Sequence, residues 1–176
     1  LRALAACEFS EGEREAAARH WRDAALLDEN ATLLHRALMF VAPTGAVSAD
    51  SLRAVRRALG TDPIPTAGPG ELSSEEQRSL RVYLGGLLSG QLQDTTALVH
   101  AQAQLGSVRT ADRLAGPLGA ALRGHLELAR GDNAAAITAF ESSVVSIPFE
   151  VRSRIPALGQ QVDRFARAEG VRARGR

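Results

Sequence analysis

The stretch AALRGHLELARGDNAAAITAFESSVVSIP, residues 120–148, decides the fold of this chain. It holds two segments rich in Ala and Leu, the strongest apolar helix formers, on either side of Gly131 and Asp132. A glycine at this point ends the first helix in the left-handed conformation, and the aspartate that follows caps the second. Pro148 then ends the second helix, because proline lacks a backbone N–H. The stretch therefore predicts two helices joined by a tight turn.

Three residues of this stretch predict how the two helices pack. Gly124 lies in the first helix and allows another backbone or side chain to approach closely. Ala136 lies in the second helix, where its small side chain keeps the helix crossing tight. Phe140 is the large side chain of the pair. We expect its ring to fill the space between the two helices.

Helices are predicted along the rest of the chain as well. The predicted segments are 1–9, 13–28, 31–41, 48–60, 73–89, 94–105, 110–130, 133–146 and 155–173. Asn30 is the predicted cap of the third helix, and a kink or a break is expected at Gly116-Pro117 in the seventh. Ser73 followed three residues later by Glu76 predicts a capping box. No segment shows the period-two alternation of a strand, so the predicted fold class is all-α.

A stretch rich in proline and glycine divides the chain. Residues 61–72 contain three of the seven prolines and cannot continue a helix. The predicted organisation is therefore an N-terminal set of helices over 1–60, a linker over 61–72, and helix pairs over 73–176. Because the chain starts inside a predicted helix and its last pair lacks a second helix, we expect it to be a segment of a longer polypeptide; the alternative is a complete small array with frayed, atypical ends.

Composition excludes several classes of active site. The 176 residues include 32 Ala and 23 Leu but no Lys, so all 21 basic residues are Arg. This use of Ala and Arg is typical of proteins encoded by bacterial genomes of high GC content. The absence of Lys excludes a P-loop lysine and a Schiff-base lysine. Cys7 is the single cysteine and is expected to be a packed thiol, and the four histidines show no metal-ligand spacing. We expect a chain that is not an enzyme and holds no cofactor or metal.

Charge and hydropathy limit the partners. The net charge of +1 is too small for nucleic-acid binding. Residues 1–30 carry four Arg against seven acids, whereas residues 150–176 carry seven Arg against three acids. Such ends suit head-to-tail self-association, although a solvated Arg-rich helix face has the same pattern. With no long apolar run and no visible signal peptide, we expect no membrane span and a cytoplasmic location.

The order of these residue types resembles the tetratricopeptide repeat, a helix–turn–helix unit of about 34 residues. In that pattern a small residue, a turn Gly, an Ala, an aromatic and a final Pro follow one another. The matching residues are Leu4, Ala5, Gly12, Ala17 and Trp21, then Gly85 in a weaker middle unit, then Gly124, Gly131, Ala136, Phe140 and Pro148. Glu29 stands where the first unit should have its proline. The resemblance implies antiparallel helix pairs stacked as a right-handed α-solenoid.

The same resemblance implies a scaffold or adaptor module that binds a partner protein or peptide on a concave face formed by the first helices. The exposed positions expected on that face are Arg2, Arg81, Tyr83, Arg123, Glu127 and Arg130. Some family members clamp a peptide carboxylate with Lys and Asn, but this chain has no Lys and only two Asn. Two alternatives stay open. One is a regulatory or sensor region of a bacterial Ser/Thr kinase or transcription regulator, and the other is a structural subunit of an assembly.

Overall fold

The computed structural model describes residues 1–42, 47–64, 72–108, 112–144 and 161–174. Within these ranges it has nine helices and no strand, so the all-α prediction is confirmed. The helices are α1 (Arg2–Glu11), α2 (Arg14–Ala25), α3 (Glu29–Val41), α4 (Ala49–Thr61), α5 (Ser74–Gln91), α6 (Thr95–Ser107), α7 (Ala115–Ala129), α8 (Asn133–Glu141) and α9 (Gln161–Arg174). Pro148 and most of the predicted linker lie outside the described residues.

Several helix ends follow the local signals in the sequence. Ser73 and Glu76 form the capping box at the start of α5, each side chain bonding the other residue's backbone N–H. Gly131 has a φ of 81° after α7, and the Asp132 carboxylate accepts a 2.9 Å hydrogen bond from the Ala135 N–H of α8. These residues therefore form the helix–turn–helix that the sequence predicts for this stretch.

The start of α3 differs from the prediction. The carboxylate of Asp28 accepts a 2.9 Å hydrogen bond from the N–H of Ala31, so Asp28 caps the helix. Asn30 lies inside the first turn, and its side chain is directed to α5 instead. The prediction that Asn30 is the cap is wrong because both residue types are good caps and only the register of the turn decides between them.

The seventh helix has no kink at Gly116-Pro117, because it begins there, and residues 112–114 precede the helix instead of belonging to it. Helix α7 starts at Ala115, and Asp112 accepts hydrogen bonds from the N–H groups of Leu114 and Ala115 at 2.8 and 3.2 Å. Pro117 thus lies in the first turn. A proline is tolerated at that position, since its missing N–H has no partner within the helix.

Helix contacts follow a simple order along the chain. Each helix packs against the next one, and each odd-numbered helix also packs against the next odd-numbered helix. Among the described helices, no two even-numbered ones make contacts of comparable extent. The odd-numbered helices therefore form one layer and the even-numbered helices lie outside it.

One apolar core joins the helices on the two sides of the predicted linker. The cluster runs from Ala5 on α1 to Leu126 on α7 without a break. At its N-terminal end, the Trp21 ring lies 5.3 Å from the Phe9 ring and 6.0 Å from the Phe40 ring, measured between centroids. Helices before and after the linker thus share a single core rather than forming two separate ones.

Candidate functional site

A cleft of about 270 Å³ opens where four odd-numbered helices meet. Its walls include Val41 at the end of α3, Leu87 on α5, His125 on α7 and Val162 on α9. We call it the central cleft. Each of these residues belongs to a different odd-numbered helix, and Thr95 and Leu98 of α6 complete the lining.

The turn between α5 and α6 supplies a polar rim to the central cleft. Gln91, Gln93 and Thr95 line this edge and are exposed. Gln93 has a φ of 57°, an uncommon left-handed conformation for a residue other than glycine. Its N–H donates a 3.0 Å hydrogen bond to the Gly90 carbonyl, which holds the turn in place. The rim therefore presents two side-chain amides, each able to donate and accept hydrogen bonds.

A buried hydrogen-bond network fixes the position of His125. The hydroxyl of Tyr83 donates to the Asp163 carboxylate at 2.8 to 2.9 Å, and His125 Nε2 lies 2.8 Å from Asp163 Oδ1. The network ties α5, α7 and α9 together. The Phe140 ring contacts the imidazole edge-on, with 5.1 Å between the centroids. With Nε2 bonded to Asp163, a neutral His125 would carry its acceptor at Nδ1.

The protonation of Tyr83 is set by its surroundings. Burial raises the pKa of the Tyr83 phenol well above its usual value, and the neighbouring Asp163 carboxylate raises that pKa further. The hydroxyl therefore keeps its proton and acts as a hydrogen-bond donor. Among the described residues that line the cleft, His125 is the one with an ionisable side chain. The lining accordingly favours uncharged and apolar ligand groups.

Two residues expected on an exposed face are buried. Tyr83 is 1% exposed and Arg81 is 3% exposed, so the expectation of exposure is wrong for both. Helix α9 covers Tyr83, whose hydroxyl is hydrogen bonded to Asp163. The backbone that follows α4 covers Arg81. Both covering segments are distant in sequence, and helical periodicity within α5 carries no information about them.

Arg81 is instead the centre of a network that joins α3, α5 and the end of α4. Its guanidinium donates to the Asn30 side-chain oxygen and to the carbonyls of Asp62 and Pro63. Asn30 in turn donates a 3.0 Å hydrogen bond to Gln77 Oε1. Burial lowers the pKa of Arg81 from its usual value. Sequence reasoning missed this network because its members are spread over 51 residues.

The other four predicted binding residues have partly exposed side chains, but on two different helices. Arg2 on α1 forms a 3.3 Å ion pair with Asp28. Arg123, Glu127 and Arg130 lie along α7, where Arg130 Nη1 is 3.2 Å from Glu127 Oε1. At 100° per residue, Arg123 and His125 are separated by about 200° around α7. The α7 residues expected to bind a partner are therefore not in the central cleft.

The residues predicted to form the repeats differ in their burial. Ala5, Ala17, Trp21, Ala136 and Phe140 are buried, whereas Leu4 is about half exposed. The turn glycines, Gly12 and Gly131, both have positive φ. Cys7 is exposed, so the expectation of a packed thiol is wrong.

The glycine of α5 that faces a neighbouring helix is Gly86, and not Gly85, the residue that matches the repeat pattern. A Cβ at Gly86 would lie 2.7 Å from the Leu122 side chain of α7, whereas a Cβ at Gly85 would meet nothing within 4 Å. The sequence reads Gly-Gly here, and only the orientation of α5 shows which of the two faces a neighbouring helix.

A second concave surface runs between α6 and α7. It consists of a cavity of about 300 Å³ lined by Gly106, Gly119 and Arg123, among others, and one of about 410 Å³ lined by Val99 and Arg130, among others. Thr138 and Ala139 of α8, with Ser142 directly after it, also border the 300 Å³ cavity. We call their combined surface the α6–α7 groove. It adjoins the central cleft at one end, where Thr95 and Ala129 line both.

Comparison with known proteins gives no family for this chain. No family model matches it, and no curated protein or solved structure matches it at a significant level. The tetratricopeptide resemblance therefore stays a prediction. In the described ranges no three His, Cys, Asp or Glu side chains are grouped as metal ligands. No described helix combines the length and apolar character needed to cross a bilayer.

Proposed function

We propose that this chain is a protein-interaction module of the α-solenoid type, which binds a partner protein through the central cleft. The order of helix contacts supports a solenoid, because stacked helix pairs contact only near neighbours along the chain. The proposed function is binding, with no catalytic step and no cofactor.

One observation carries the proposal. Residues from four successive odd-numbered helices line the central cleft, and this is the layer in which the tetratricopeptide resemblance places a partner. The site is therefore a shared product of the stacked helices rather than a property of one helix pair.

The chemistry of the cleft indicates what part of a partner would bind. Val41, Leu87 and Val162 offer an apolar lining, while the amides of Gln91 and Gln93 can pair with peptide groups. The volume of about 270 Å³ is below the ~300–1,000 Å³ of most small-molecule pockets. A single large apolar side chain with its adjoining peptide groups fits this combination best.

A glycine on the cleft wall provides a sharp test. Gly90 lines the central cleft, and a Cβ there would meet only the Leu98 side chain, at 4.0 Å. Gly90→Leu should therefore fill the cleft without displacing the backbone. Gly85→Leu is the matched control, because it adds the same side chain to the same helix, where a Cβ meets nothing.

The experiment is a selection from a displayed library of random peptides on the immobilised chain. We expect the selected peptides to bind the wild-type chain and Gly85→Leu alike, and to bind Gly90→Leu about tenfold more weakly or worse. Selected peptides that bind all three proteins equally would contradict the placement of the site in the central cleft.

A second candidate function, self-association, is favoured by exposed apolar side chains on the first and last described helices. Leu4 on α1 and Phe165 and Val171 on α9 are each about half exposed. The charges of these two ends are opposite, with an acidic excess over residues 1–30 and a basic excess over 150–176. A head-to-tail contact would pair both the apolar stripes and the charges.

Two single variants test this second candidate by complementation. Leu4→Glu blocks one end and Phe165→Glu blocks the other, so each variant alone should sediment as a monomer. An equimolar mixture should form a dimer, since each partner retains one intact end. A wild-type chain that sediments as a monomer at all concentrations would rule out the contact.

A further inference from the structure

The two cavities of the α6–α7 groove lie one after the other along the same faces of α6 and α7, and together they define a strip. On α6 the lining residues Thr95, Val99, Gln102 and Gly106 recur every three or four positions, so they lie on one face. The lining residues of α7, from Gly116 through Arg123 to Arg130, do the same. The strip follows the 13 residues of α6, which corresponds to about 20 Å.

Small residues form the floor of this strip. Gly106, Gly116, Gly119 and Ala120 all line the 300 Å³ cavity. Below them the helices touch, since a Cβ at Gly119 would lie 3.3 Å from the Leu105 Cβ. A floor without long side chains allows the backbone of a bound segment to approach closely, as small residues do at helix–helix contacts.

The charge above the floor is positive. Helix α6 has no Asp, Glu or Arg in its sequence. Arg123 on α7 is exposed and forms no hydrogen bond or ion pair within the described part of the chain, and Arg130, directly after the end of α7, is also exposed. Glu127 is mostly covered and already paired with Arg130. A bound segment would therefore meet guanidinium groups at two points along the strip.

We propose that the α6–α7 groove docks an acidic helix of a partner protein. Arg123 and Arg130 are seven residues apart, which places them two turns or about 10.5 Å apart along α7. A helix lying along the groove with carboxylates at positions i and i+7 would match this spacing, and small residues between them would rest on the glycine floor. This is helix-in-groove recognition, and it requires no occupant in the central cleft.

The two arginines predict which charges a bound helix should carry, so the proposal can be tested directly. The probe is a displayed library of single Ala-rich helices randomised on one face, selected separately on the wild-type chain and on the double variant Arg123→Glu/Arg130→Glu. We expect the wild type to select Asp or Glu at i and i+7, and the double variant to select Lys or Arg at the same positions. Binding of the acidic helices should weaken as salt is raised.

A cavity-filling variant tests the place of binding. Gly106→Leu adds a side chain where a Cβ meets nothing within 4 Å, and should weaken the acidic helices about tenfold or more. Gly60→Leu on α4, also in open space, is the control and should bind them as the wild type does. Far-ultraviolet circular dichroism and thermal unfolding check that every variant is folded, and Arg123→Ala/Arg130→Ala serves as a second charge variant.

The outcomes separate this proposal from the central-cleft function. Helices without acidic enrichment, or acidic helices unaffected by both charge variants, would overturn the groove proposal. Binding that is lost in Gly90→Leu but retained in Gly106→Leu would also overturn it and leave the central cleft standing. Binding that is lost in Gly106→Leu and retained in Gly90→Leu supports the groove as a separate surface.

Discussion

The ring of Phe140 lies so close to Gly124 that it occupies the space of a side chain at that position. A Cβ built on Gly124 would lie 2.6 Å from Phe140 Cε1 and 2.7 Å from Cδ1 and Cζ. The ring cannot move freely, because His125 contacts it edge-on and is itself hydrogen bonded to Asp163. The contact, rather than a special backbone angle, requires glycine here.

Gly124→Ala should therefore destabilise the chain although alanine is the better helix former. Displacing a packed ring costs about 1–3 kcal/mol, which exceeds the ~1 kcal/mol gained in helix propensity. Gly85→Ala, with no neighbour within 4 Å, should instead stabilise the chain by about 0.5–1 kcal/mol. The free energy of unfolding in urea measures both. If both substitutions lower the free energy of unfolding, or both raise it, the close contact between Phe140 and Gly124 is contradicted.

Removing the ring should reverse the sign of the glycine substitution. Phe140→Ala is expected to lower the free energy of unfolding by about 3–5 kcal/mol, because it leaves a cavity between α7 and α8. In that background Gly124→Ala should become stabilising, since nothing then opposes the added methyl group. A double-mutant cycle over the four proteins measures this coupling. Additive effects of the two changes would show that the residues are not in contact.

The buried phenol of Tyr83 predicts a loss of stability at high pH. The pKa of Tyr83 in the folded chain is raised well above the ordinary phenol value of 10.0, so the folded state holds this proton more tightly than the unfolded state does. The protonated phenol therefore contributes fully to the free energy of unfolding below pH 10. Above pH 10 this contribution decreases by up to ~1.4 kcal/mol per pH unit. Tyr83 is the single tyrosine, so phenolate absorbance reports on it alone.

Two titrations check this prediction. In the native chain, phenolate absorbance should rise only when the chain unfolds, whereas in concentrated urea it should rise near pH 10. Tyr83→Phe should remove this part of the alkaline destabilisation and cost about 1–3 kcal/mol at neutral pH, because Asp163 loses a hydrogen-bond donor. A native titration near pH 10 without unfolding would show that Tyr83 is accessible.

Arg81 and Arg123 should respond differently to the same substitution. Arg81→Ala removes donors from the Asn30 side chain and from two backbone carbonyls, so we expect a loss of about 2–3 kcal/mol in stability. Arg123→Ala should change stability by no more than about 0.5 kcal/mol, because that side chain is exposed. Urea unfolding of both variants tests the assignment. Equal losses would mean that Arg123 also has a structural role.

Short-range signals predicted most of the helices, and long-range contacts account for most of the errors. Gly131 with Asp132, and Ser73 with Glu76, act within one turn of the chain, so their effects can be read locally. The burial of Tyr83 depends on Asp163, 80 residues away, and no local periodicity contains that information.

The candidate sites were predicted less completely than the helices. Arg123 and Arg130 were expected on a concave face because the tetratricopeptide resemblance places exposed positions of the first helices there; both are exposed, but neither lines the central cleft. His125 was missed as a site residue because its importance comes from Asp163 on α9 and from cleft walls on four other helices. The rim residue Gln93 had no signal either, since its left-handed conformation is set by the geometry of the turn between α5 and α6.

The hydrogen bond between Tyr83 and Asp163 also has a consequence for the order of folding events. Most helix contacts join neighbours along the chain, and the Arg81–Asn30 hydrogen bond spans 51 residues. The Tyr83–Asp163 bond joins groups 80 residues apart and requires α5, α7 and α9 to be in place together. Trp21, the single tryptophan, lies among the first three helices. In a refolding experiment, tryptophan fluorescence should therefore reach its native value before the near-ultraviolet signal of Tyr83 does, and the delay between the two measures how late α9 docks.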